Sequence, residues 1–106
     1  MSGRSLADAL ARHAVTLEDT VVRPADGVRE VVAAGTVVAV LGSALELRRR
    51  PAVAAAALRT PDVEASSRGA GWVRFAPAEI DDFVRDRAIA WLESAVRLAV
   101  EDELQD

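Results

Sequence analysis

Arginine is the residue type that offers this chain most of its chemistry. All thirteen basic side chains are Arg, with no Lys and a single His. Arg48, Arg49 and Arg50 stand together, and Arg68 and Arg74 fall on either side of Trp72. A guanidinium fork pairs with phosphate and an indole stacks a base, so an arginine–tryptophan surface is one way to hold a nucleic acid. Arg48, Arg50, Arg68, Trp72 and Arg74 are therefore the expected binding surface. Neighbouring strand residues point to opposite faces, so the three consecutive arginines are not expected to share one surface while extended. The competing reading is a solvated sheet edge guarded by charge.

Groups suited to catalysis are few. His13 stands at the end of a helical stretch, and no second His and no Cys exist to complete a metal site with it. Ser43 follows Gly42 but lacks the second glycine of a nucleophile elbow. Gly69-Ala70-Gly71 has neither the lysine nor the following helix of a phosphate loop. Carboxylates crowd the last segment, first as Glu79, Asp81, Asp82 and Asp86, then as Glu101, Asp102 and Glu103. The first group suits a helix N-terminus; the second opposes the helix dipole and predicts a frayed tail. No catalytic residue, metal ligand or cofactor is expected, and the chain reads as a non-enzyme.

The elements that must position these residues can be read from punctuation and period. Val28 to Arg50 holds three β-rich runs, VREVVA, TVVAVL and ALELR, separated by Gly35 and by Gly42-Ser43. This meander is the centre of the fold. In its middle run, Val37, Ala39 and Leu41 are expected on one face and Val38 and Val40 on the other, apolar on both sides. Before it, Ser5 to Ala14 reads as a short amphipathic helix with Leu6, Leu10 and Ala14 on one face, and Val15 to Arg23 as a strand stopped at Pro24. After it, Pro51 opens an Ala-rich helix over 51–59. Residues 60–71 read as a long loop, Trp72 to Phe75 as a strand, and Ala78 to Leu104 as the longest helix. Its stripe is Ile80, Val84, Ala88, Trp91, Ala95 and Leu98, flanked by Leu92, Val96 and Ala99, with Glu79-Ile80-Asp81-Asp82 as an alternative capping turn that would start the helix at Asp82. The order is helix, strand, three-strand meander, helix, strand, long helix. Helices packed on an antiparallel sheet make an α+β sandwich.

A chain of 106 residues builds one such domain, here 1–106 with frayed ends expected at 1–4 and 101–106. It is 51% hydrophobic and 28% charged, an ordinary globular composition, and without cysteine the fold must stand on packing alone. No apolar run is long enough to span a bilayer and no secretory core is visible, so a cytoplasmic protein without membrane contact is expected. The net charge of −4 opposes binding to phosphate backbones. The charge is uneven, however: residues 46–75 carry six Arg against three acids, and 76–106 three Arg against nine.

The meander with Gly35 at its first turn, the run Leu45-Glu46-Leu47-Arg48 before a short helix, the Gly71-Trp72-Val73 strand and the closing helix together resemble the YjbR/MmcQ-like family. Those small bacterial proteins have a double-wing fold similar to that of frataxin-like CyaY. The resemblance spans about Ser5 to Ala99. Gly35 and Trp72 match the family's pattern; Thr36 follows Gly35 where a lysine is usual, Arg48 replaces another lysine, and the Ser-Tyr of the closing helix is absent. A small bacterial domain labelled "luciferase" has a similar meander and Gly-Trp-Val strand, but its histidines are missing here. The YjbR-like resemblance implies DNA binding inferred from the fold and nothing further.

The leading expectation is thus a non-catalytic accessory protein that binds nucleic acid weakly, or a protein, through its arginines and Trp72. The other is a homodimer or interaction domain using the second sheet face. Val38, Val40 and Trp72 would form its contact, because only the Ala-rich helix and the 60–71 loop remain to cover them.

Overall fold

A computed structural model of the chain describes residues 3–104, with side chains described from Ser5 onward. Its elements are α1 (Gly3–Ala14), β1 (Thr20–Ala25), β2 (Val28–Ala33), β3 (Thr36–Leu41), β4 (Leu45–Arg48), α2 (Pro51–Ala57), β5 (Val63–Ala65), β6 (Trp72–Phe75) and α3 (Asp82–Leu104). The strands form one antiparallel sheet in the order β1-β2-β3-β4-β6-β5. The expected α+β class and order of elements hold, with one addition. The stretch 60–71 contains β5, which pairs Val63 with Phe75 and Ala65 with Val73. Three residues between a proline and a serine pair are too short for a period to show.

Turn chemistry sets the meander. Asp26-Gly27 and Ala34-Gly35 are two-residue hairpin loops, between the pairs Ala25↔Val28 and Ala33↔Thr36, and all four residues have positive φ. That is the type I′ geometry whose twist matches the flanking strands. Pro24, expected to stop the first strand, instead lies inside β1, where the edge position leaves its missing N–H without consequence.

A bulge then changes which side chains face which way. Val31 pairs with Ala39 but Val32 pairs with Val37, so Val38 is an extra residue on β3. Val38 and Ala39 are both fully buried in the core cluster with α1 and α3, while Val40, paired with Glu30 and Glu46, lies outside it. The expected alternation of Val37, Ala39 and Leu41 against Val38 and Val40 is therefore corrected: Val38 sits on the helix side. Only the residues beyond the bulge keep the predicted parity.

The core lies between one face of the sheet and the three helices. Val31, Ala39, Leu47 and Val73 form a cross-strand row, with Leu41, Leu45 and Phe75 beside it, all at most 1% exposed. Leu6 and Leu10 of α1, Ala54 and Ala57 of α2, and Ala88, Leu92, Ala95 and Ala99 of α3 close over it. The centre of the α3 stripe is thus Leu92, not Trp91, which is half-buried at its flank against Phe75 with ring centroids 5.3 Å apart. Asp81 caps α3, its carboxylate accepting the Val84 N–H at 2.9 Å. At the other end the helix runs on to Leu104, so 101–104 are helical rather than frayed; residues 1, 2, 105 and 106 lie outside the described residues. Among the described residues no helix is long and apolar enough to cross a membrane.

Candidate functional site

Arg48 closes β4, Arg49 is the first residue beyond it, and Arg50 precedes Pro51 at the start of α2 with ψ 144°. The strand ends inside the arginine run, so strand alternation stops governing it. All three side chains reach α3. Arg48 Nη2 pairs with Asp102 at 3.0 Å, Arg50 pairs with Glu101, and Arg49 Nη1 donates to the Trp91 carbonyl at 3.3 Å. Arg48 meets α3 beside Ala99 and Asp102, whereas Arg49 and Arg50 line a separate cleft with Ser94 and Arg97, so the three reach one helix without sharing one surface. Long side chains leaving a strand end can converge on one helix even when their Cα atoms alternate.

Arg49 differs from its two neighbours. Its guanidinium lies over the Trp91 ring, 5.4 Å from the centroid, a cation–π arrangement that holds the side chain without neutralising it. No carboxylate of the described residues pairs with it, and none pairs with Arg97 one turn and a half along α3 from Trp91. Burial, and then the nearby charge of Arg97, lower the pKa of Arg49 from its ordinary value. The like charge of Arg97 is a cost at Arg49 that no ion pair of Arg49 itself offsets among the described residues. The backbone of Arg49 is fixed as well: its N–H donates to the Gly71 carbonyl. A Cβ at Gly71 would lie 2.8 Å from the Arg49 carbonyl oxygen, and Gly71 has φ +83°. Close approach and left-handed backbone both require glycine there.

Between Arg49, Arg50 and α3 is a cleft of about 120 Å³, with Ser94, Arg97 and Glu101 on its helix wall and Val53 of α2 opposite. Ser94, Arg97 and Glu101 follow the helical three- and four-residue spacing that puts side chains on one face. Beyond the ridge made by Arg97 and Glu101 is a more open, apolar depression over Leu17, Val96 and Val100, rimmed by Glu18 and Glu93.

The rest of the expected surface is elsewhere and already paired. Trp72 is half-buried at the helix-free face, with the Arg68 guanidinium 5.7 Å from its ring. Arg68 pairs with Glu46 at 2.7 Å and Arg74 with Glu64 at 2.8 Å. Thus Arg48, Arg50, Arg68 and Arg74 each hold a carboxylate, and the five expected surface residues divide between two regions. The expected open patch of Val38, Val40 and Trp72 is not formed: Val38 is in the core, Val40 is 3% exposed, and only Trp72 is partly accessible. His13 Nε2 has no hydrogen-bond partner among the described residues and lies 3.8 Å from Glu93 Oε1.

Arg49, Ser94 and Arg97 are the residues that sequence reasoning passed over. Arg49 was visible in the run, but strand alternation set it apart from Arg48 and Arg50. Arg97 reads as one more charge on the solvated side of a helix, and no local signal says that it lacks a partner. Compared with protein-family models, curated proteins and solved structures, the chain matches none.

Proposed function

We propose that this chain is a non-catalytic binding module whose ligand is anionic and meets it at the junction of Arg49, Arg50 and α3. The observation that carries this reading is the pair Arg49 and Arg97, two guanidinia near one cleft with no carboxylate of their own. An arginine already stacked on an indole has given up part of its side-chain freedom, so a ligand carboxylate or phosphate meets it at lower entropic cost. This keeps the accessory role expected of a YjbR-like protein and transfers it from Trp72 to Trp91. Membership of that family is part of the same proposal, supported by the order of the elements. Nucleic-acid binding has less support, because a phosphate contact at Arg48, Arg50, Arg68 or Arg74 must displace an internal carboxylate.

Trp72→Phe leaves Trp91 as the sole indole, so its fluorescence reports the junction. Poly-L-glutamate and a DNA duplex, titrated at low and moderate salt, should both perturb Trp91 at low salt. For the duplex, a few contacts predict micromolar or weaker binding with a log–log salt slope near −0.9 per phosphate. Failure of every polyanion to change Trp91 emission would overturn the reading. Tight duplex binding that persists at moderate salt would restore the nucleic-acid surface.

A further inference from the structure

The charge of the cleft narrows the class of its ligand. Its lining holds three arginines, Arg49, Arg50 and Arg97, against one carboxylate, Glu101, and Glu101 is taken up by Arg50. Two positive charges remain uncompensated, which matches the dianion of a phosphate group. The volume of about 120 Å³ leaves room for a tetrahedral oxyanion. Ser94 adds a hydroxyl donor one helical turn before Arg97. Guanidinium forks bind phosphate in bidentate fashion, and two of them on opposite walls fix a tetrahedral group more firmly than a planar one. The neighbouring apolar depression is rimmed by Glu18 and Glu93, which repel an anion and direct it to the Arg49 side of the ridge.

We infer that this cleft is a site for a single phosphate-sized oxyanion, either free phosphate or the phosphoryl group of a phosphomonoester, held by Arg49 and Arg97 with Ser94 donating. The inference rests on the binding-module reading and narrows it. A ligand seated there would bridge the junction between β4 and α2 to α3. It would also supply the counter-charge that Arg49 and Arg97 lack, so binding should stabilise the fold as well as perturb Trp91.

The test uses the full chain carrying Trp72→Phe, titrated with inorganic phosphate, methyl phosphate and acetate at ionic strength held constant with chloride. Saturable phosphate binding with a rise in melting temperature is expected. Arg97→Ala should lower the association constant by about tenfold or more, as loss of a charge-assisted bidentate contact does, with Arg97→Lys retaining part of it. Arg97 is exposed, so this variant keeps the fold even if Arg49 substitutions do not. Phosphate tighter than its methyl ester assigns the free ion, and the reverse order a phosphomonoester; either supports the site. Acetate equal to phosphate, binding unchanged in Arg97→Ala, or no saturation would each overturn it. If poly-L-glutamate still perturbs Trp91 in that case, the broader anion-binding reading stands and only the phosphate assignment falls.

Discussion

The two faces of the sheet use arginine in opposite ways. On the helix-free face the register Arg23–Glu30–Val40–Glu46–Arg74–Glu64 runs across all six strands, and each of its arginines has a carboxylate: Arg23 with Glu30, Arg74 with Glu64, and Arg68 from the loop with Glu46. Opposite charges on neighbouring strands stabilise a solvated sheet modestly and leave no net charge for a partner to read. At the other region, where β4 gives way to α2, Arg48 and Arg50 are matched by Asp102 and Glu101, but Arg49 is held by the indole and carbonyl of Trp91, and neither it nor Arg97 has an ion pair among the described residues. Count and density of arginine are similar in both places. The difference is whether the topology delivers an acid to each one, and an unmatched, half-buried charge such as Arg49 is where a ligand gains most.

Substitutions can break this comparison at several depths. The largest effect is expected at Val38, which the bulge places in the core rather than on the open face. Val38→Asp should cost about 4 kcal/mol or more, the penalty of an unpaired buried carboxylate, and unfold much of the protein at ambient temperature. If light scattering instead found a folded 11.2 kDa monomer derived from a wild-type dimer, Val38 would lie on an association face and the sidedness drawn above would be reversed.

Gly71→Ala should follow, at about 2–4 kcal/mol, from left-handed strain together with a Cβ forced against the Arg49 carbonyl. It acts on the site too. A shifted Arg49 should reduce any phosphate-dependent change in Trp91, whereas Gly69→Ala, strained by its own φ of +126° but with nothing within 4 Å of its Cβ, should leave that change intact. Equal losses in the two variants would mean that Gly71 supports the loop and not Arg49.

The smallest effect sharpens the contrast. Arg74→Ala removes a cross-strand ion pair whose side chains are 41% and 65% exposed, so chemical denaturation should move by no more than about 0.5 kcal/mol. A loss of several kcal/mol would show that the helix-free face is held together by its charges and not merely solvated by them.

What the sequence determined by itself was local. Turn residues at Asp26-Gly27 and Gly35, β-branched runs between them, Pro51 opening a helix and the Asp81 cap are all signals within a few residues of their effect. They were enough for the class, the order of elements and most of the core. Tertiary structure decided the rest, for two reasons. A bulge needs a partner strand to exist, so the side taken by Val38 could not be read from β3 alone. Pairing of charges depends on contacts far apart in sequence: Arg48 with Asp102 and Arg50 with Glu101 across more than fifty residues, and Arg68 with Glu46 across twenty-two. Composition fixes how many arginines there are, and only the fold brings Arg49 and Arg97, neither in an ion pair among the described residues, to one cleft.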